Sequence, residues 1–444
     1  MDHAVAPEGA PGAALSLEAG RADAAPPAQN RRPALWRNRD YMLLWSGQTV
    51  SALGGSMSGV VFPLLILALT NSPLAAGIAG ALASVPYLIF SLPVGAWIDR
   101  WDRKRVMILC DAGRALSLAS VPLAMVFGVL TVWQLYLNAF IEGTLFVFFN
   151  LAEVAALSRV VGKAQLPAAT AQNEATWGLA GLLGPPLGGW LYQAAGRGVP
   201  FLFDAVSYTA SVISLFFIRT EFQAERVPVA ERRHLRVEIQ EGVVWLWRHP
   251  LFRFMAFAAG GMNFAFAAST LIIIVIAKNL GGDSTSIGTI FSLAALGGLF
   301  GSLIGGRIQN RFRFGQVIVA TVWVEALLFP LYAVAPHILI LGLITAALFF
   351  TVPIFNVVVL SYRLALVPDA LQGRVNSATR LIVFGFQPLG SALGGVLIER
   401  VGPAGAVGLF AAWLVGLAIL VGFNSHVRHA PPLEDALRAA SLQV

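Results

Sequence analysis

Glu142 stands near the middle of a stretch, roughly 131–156, that is otherwise apolar and long enough to cross a bilayer. Asn138, Glu142, Phe149 and Glu153 recur at i, i+4, i+11 and i+15, which places them on one stripe of a helix. A carboxylate flanked by Phe140, Phe146 and Phe149 loses much of its hydration, and ionisable groups kept at that cost inside a span are functional candidates by default. Glu142 could take up and release a proton, or recognise a cation. The plainer alternative is a hydrogen bond to Asn138 or to another helix. The stretch 41–69 offers a matching stripe of Gln48, Ser51, Gly55, Ser58 and Phe62, and Asn263 and Asn356 lie in two later apolar stretches. Apolar walls carrying a few polar groups suit a small amphipathic ligand.

The other intraspan ions read differently. Asp111 and Arg114 are i, i+3 neighbours able to pair on one helix face, near the end of their span, so a structural role is expected. Asp204 and Glu325 are expected in interhelical contacts. Arg363 and Arg380 suit helix ends or lipid phosphates, with Arg380 also a candidate for a substrate anion. Cys110 is the only cysteine, which excludes a disulfide framework and a thiolate metal site. No metal cluster, catalytic triad or phosphate-cradling loop is present, so neither a cofactor nor an enzyme activity is expected. Uphill work must then draw on an ion gradient.

These residues need a membrane scaffold. Charged residues make up 12% of the 444, half the roughly 25% of soluble domains. Twelve apolar stretches of about twenty residues or more can be counted from 41 to 423. With the N-terminus inside, every Lys and Arg falls on a cytoplasmic segment except Arg197, Lys278 and Arg400 outside and Arg114 and Arg380 within spans. Both termini are therefore expected on the cytoplasmic side of the cell membrane. Basic residues spread over loops, rather than gathered on one face, give no nucleic-acid partner. The expected domains are a disordered tail over 1–34, six helices over 35–219, a linker with an amphipathic helix over 220–250, six helices over 251–424 and a tail over 425–444.

The halves repeat. Leu35-Trp36-Arg37 returns as Leu246-Trp247-Arg248, Phe149-Asn150 as Phe355-Asn356, and Asn173-Glu174-Ala175-Thr176 as Asn376-Ser377-Ala378-Thr379. Gly184-Pro185-Pro186-Leu187-Gly188-Gly189 returns as Gly390-Ser391-Ala392-Leu393-Gly394-Gly395, and Gly95–Arg103 weakly as Gly305–Arg313. Matches in one order mark a duplication.

The loop Gly95-Ala-Trp-Ile-Asp-Arg-Trp-Asp-Arg-Lys-Arg105 joins two apolar stretches. It resembles the signature of the major facilitator superfamily of secondary transporters. Gly95, Asp99, Arg100, Arg103 and Lys104 stand on the signature positions, and Asp102 where Gly is more frequent. Gly47–Ser51, Asn71–Pro73, Phe203–Tyr208, Trp247–Pro250 and Gly373–Ser377 resemble the branch that holds enterobactin exporters and macrolide efflux proteins. The resemblance implies an all-α membrane protein, twelve helices in two six-helix pseudo-symmetric halves, with substrate held between them. It also implies a monomer that exports a small amphipathic drug or siderophore by proton antiport. An uptake symporter or a lysophospholipid flippase is the rival of the same fold.

Gly184, Pro185, Gly188 and Gly189 resemble the exporters' antiporter motif. Proline removes backbone donors and glycine admits a close neighbour, so this helix could seal one side of a cavity. The loop is expected to act as a latch, with Asp99 at the N-terminus of span eleven and Arg103 reaching Glu153. Both contacts would hold the outward-open state and break as the inner side opens. One departure is expected to matter: many members of the branch carry an acid in the first helix, where this chain has Gly54-Gly55.

Overall fold

A computed structural model describes residues 35–98, 100–223, 235–368 and 371–431. Asp99, the tail 1–34 and most of the expected C-terminal tail lie outside the described residues. All regular elements among those described are helical. The first half holds α1 (Arg39–Thr70), α2 (Pro73–Ile98), α3 (Arg103–Val126), α4 (Val132–Val160), α5 (Leu166–Ala194) and α6 (Val199–Phe217). After α7 (Leu235–Arg248) come α8 (Pro250–Asn279), α9 (Ser284–Arg311), α10 (Phe314–Leu328), α11 (Ile338–Leu366), α12 (Gln372–Gly385), α13 (Gln387–Phe423) and α14 (Ser425–Arg428).

Short polar residues set the helix starts. The side chains of Asn38, Asp102, Thr131 and Asp283 accept from backbone N–H groups in the first turns of α1, α3, α4 and α9. Asn71, at φ 52°, ends α1 in the left-handed region.

Ten helical stretches among the described residues are long and apolar enough to cross a membrane. The expected twelve differs at two places, each with a physical reason. The last candidate, Gln372–Phe423, runs for 52 residues, too long for one crossing, and Gly402 at φ 77° and ψ 169° interrupts it. Helix α5 has 29 residues, but Gln172, Asn173, Glu174 and its glycines and prolines dilute its apolar character.

Within the first half α1 packs on α5 and α6, α2 on α4, and α3 on α4 and α6. The second half repeats the plan, with α8 on α13, α9 on α11, and α10 on α11 and α13. Helix α7 docks on α12, where Glu241 pairs with Arg374 and Gly242 lies under the Arg374 backbone. Two seams join the halves, α5 against α9 and α2 against α13.

Lipid tails give apolar side chains little reason to leave them, so such seams depend on close backbone approach. The glycine-rich face of α5 first packs on α1 within its own half, where a Cβ at Gly184 would lie 2.5 Å from Ser56 Cβ and one at Gly188 would lie 2.9 Å from Met57 Cα. At Gly189 it would overlap the Ser284 carbonyl. The repeat shows the same construction: Gly390 against Phe264, Gly394 against Ala268, and Gly395 against Pro73 and Gly77. The duplication read in the sequence is thus a duplication of contacts.

Both seams are tied at the end of the bundle opposite Leu35. Glu399 Oε2 accepts from Ser72 Oγ at 2.6 Å and from Leu74 N at 3.0 Å, and Thr285 Oγ1 donates to Gln193 Oε1 at 3.5 Å.

Candidate functional site

Two cavities meet in the middle of the bundle. The larger, about 420 Å³, is lined from both halves: Ser58 and Phe62 of α1, Arg114 of α3, Glu142 of α4, Asp204 and Tyr208 of α6, Asn263 and Phe266 of α8, and Gln387 of α13. The smaller, about 250 Å³, is lined by Gln48 and Ser51 of α1, Phe146, Phe149 and Glu153 of α4, and Trp177 of α5. Gly55, Arg114 and Tyr208 line both.

Arg114 is the hub. Its Nε donates to Glu142 Oε2 at 3.0 Å, and its guanidinium lies 4.1 Å from the Tyr208 ring centroid. Asp111 Oδ1 is 4.0 Å from Arg114 Nη1. Asp111 Oδ2 accepts from Ser211 Oγ at 2.6 Å, and Ser211 Oγ in turn accepts from Gln48 Nε2 at 3.2 Å. This network spans α1, α3, α4 and α6. Glu142 Oε1 is buried with no hydrogen-bond partner among the described residues, so the carboxylate is only half satisfied.

Several sequence expectations need correcting. Arg114 is not confined to a structural pair near a span end: α3 starts at Arg103, which puts Arg114 at its midpoint and on the cavity wall. Asp204 makes the expected interhelical contact, against Gly54 of α1, and lines the larger cavity as well, with Ser207 Oγ donating to its Oδ1 at 3.2 Å. Tyr208 stood in the sequence only as a branch landmark. Asn138, by contrast, lines neither cavity; its Nδ2 donates to Ser117 O at 3.2 Å, the plain interhelical role. Asn263 lines the larger cavity, with its Nδ2 bonded to Ala259 O at 3.0 Å. Asn356 and Arg380 are exposed and line neither, and Arg380 lies over Tyr87 and Phe384.

The loop residues lie apart from the cavities. Arg100 is exposed and Gly95 has open space beside it. Lys104 Nζ donates to Ile218 O at 2.7 Å, and Arg103 Nη1 donates to Phe222 O at 3.3 Å and Ala155 O at 3.4 Å. Arg103 and Glu153, expected to pair, form no ion pair among the described residues.

The model of the Major Facilitator Superfamily matches residues 44–272, more than half of the chain. The chain belongs to the major facilitator superfamily. The multidrug efflux pump Tap of Mycolicibacterium fortuitum is 28% identical over 81% of this chain and 89% of its own length. Macrolide efflux protein A of Streptococcus pyogenes is 22% identical over 83% and 91%. The enterobactin exporter EntS of Citrobacter koseri is 24% identical over 89% and 95%.

In fold, a mutant of the nucleoside transporter NupG superposes with a TM-score of 0.70 at 14% identity, covering 86% of this chain and all of that one. A bacterial homologue of the iron transporter ferroportin gives 0.67 at 15% identity, covering 88% and 98%. This facilitator is accordingly a multi-pass membrane transporter of a small molecule, and its family is one of carriers rather than enzymes.

Proposed function

We propose that this facilitator exports a small amphipathic molecule, drug-like or siderophore-like, by alternating access, with protons moving inward. The observation that carries this reading is the Arg114–Glu142 pair on the wall of a cavity that both halves line. A proton on Glu142 cancels the charge that holds Arg114 and alters what the cavity presents to a ligand. A substrate that needs the charged carboxylate then competes with the proton for one place, and that competition is antiport.

Outward flux is supported by the relatives named as efflux pumps and exporters. Helix α5, clasped by glycine contacts between α1 and α9, supports a sealing role for Gly184, Pro185, Gly188 and Gly189. The ties at the end opposite Leu35 support an inward-open state, if the Lys and Arg asymmetry orients the chain. Gly95, Asp99, Arg100, Arg103, Lys104 and Glu153 would then latch the opposite state.

The test is transport by the full chain in proteoliposomes and inverted vesicles, with a fluorescent amphiphilic dye. The parent should accumulate dye against its gradient when a pH gradient is imposed, in the direction that corresponds to export. Glu142→Gln keeps the shape of the side chain but cannot release a proton. It should equilibrate dye yet show no response to the pH gradient, at the level of empty liposomes. Uphill pumping by Glu142→Gln equal to the parent's removes Glu142 from coupling. Accumulation in the import direction alone refutes export.

A further inference from the structure

With Arg114 committed to Glu142, the next carboxylate along α4 has no partner in this state among the described residues. Glu153 is 8% exposed, lines the smaller cavity, and receives no hydrogen bond or ion pair among the described residues. Arg103, expected as its partner, donates instead to the carbonyls of Ala155 and Phe222. Phe146, Phe149, Trp177 and Tyr208 line the same pocket; the Arg114 guanidinium lies over the Phe146 and Tyr208 rings, which leaves Phe149 and Trp177 for a ligand. A buried carboxylate without a partner is costly, and inside a membrane such a group marks a place that something else completes. A carboxylate with aromatic rings in the same pocket is a combination that holds an organic cation, one part by charge and the other through the ring quadrupoles.

We infer that this pocket receives the cationic head of the transported amphiphile, an ammonium or phosphonium group, with Glu153 as its counter-charge. The charges facing it agree. Arg114 lines the same pocket, but Glu142 at 3.0 Å and Asp111 at 4.0 Å already hold its charge. Across both cavities Arg114 is the one cationic lining residue among the described residues, set against Glu142, Asp204 and Glu153, so an anion meets an excess of carboxylates. The apolar body of the ligand fits the adjoining larger cavity, against Phe62, Phe266 and Leu271, past the shared Gly55 and Tyr208. Within the drug-like or siderophore-like range this selects cationic amphiphiles over acidic chelators. The inference rests on the chain carrying an amphiphile, and not on the direction of flux or on proton coupling.

Tetraphenylphosphonium and tetraphenylborate have nearly the same size and shape with opposite charge. Equilibrium binding of each to the full chain in phosphatidylcholine nanodiscs, corrected with empty nanodiscs, therefore isolates charge. The phosphonium should bind at least about tenfold more tightly than the borate. Glu153→Gln should weaken phosphonium binding about tenfold, Asp204→Asn by less, and Trp177→Leu about threefold. Equal binding of the two ions, tighter borate binding, or binding of neither overturns the inference. So does an unchanged affinity in Glu153→Gln, or in Trp177→Leu should the first variant not yield a monodisperse protein. Phosphonium binding that survives alongside absent or inward flux counts against export alone.

Discussion

At Gly54 a single missing side chain makes room for a carboxylate. A Cβ there would lie 2.5 Å from both Asp204 Oδ1 and Ser207 Oγ. Asp204 of α6 fills that space. Gly54→Ala should therefore lower stability by about 1–3 kcal/mol, the cost of overfilling a packed site, read as a lower thermal midpoint of the purified protein. Gly54→Asp should lower it further, and adding Asp204→Gly should recover much of the loss. A double variant no more stable than Gly54→Asp would show that the two positions do not share one space. Glu142 was legible in the sequence because a lone carboxylate amid apolar residues needs no partner to be noticed. Arg114 and Asp204 stood out as charges but not as cavity residues, and Tyr208 only as part of a landmark. The i, i+3 spacing of Asp111 and Arg114 points to a pair within one helix, whereas Arg114 finds Glu142 through the rotation of α3 against α4, which spacing along one helix does not encode.

The loop signature and the Gly-Pro stretch placed α2, α3 and α5 before any contact was known, and the linker helix was legible from its amphipathic spacing. Hidden from the sequence was what joins elements of different halves, since such contacts depend on how two bundles face each other. Glu399 shows this best. It sits on α13 yet accepts from Ser72 Oγ and Leu74 N, and so caps α2 across the seam. Gln193 of α5, at the equivalent place in the repeat, meets Thr285 at the start of α9. A cap supplied from the other half fastens the helix start and the seam together. Glu399→Ala should loosen both, with hydrogen exchange at the Leu74 and Ala75 amides several-fold faster than in the parent. Unchanged protection there, with faster exchange elsewhere in α13, would mean that the cap contributes nothing to the seam.

Across the molecule, the two seams are one device built twice. Gly189 admits the Ser284 backbone of α9, and Gly395 admits the Pro73 and Gly77 backbones of α2. Two halves that rock as rigid bodies about an axis between them cannot open one seam and keep the other closed. A leucine at either glycine should therefore prop apart the whole end opposite Leu35, although the two surroundings differ in sequence. Spin labels at Arg197→Cys and Arg400→Cys, one on each half at that end, report the gap. Cys110 is buried and leaves the labelling selective. Gly189→Leu and Gly395→Leu should each lengthen the label distance by a similar amount and either block transport or let protons leak. The double variant should lengthen the distance no further, because the first leucine has already released the second seam. Distances that add in the double variant would mean that each seam hinges by itself, and the rocking motion would have to be replaced by two independent gates.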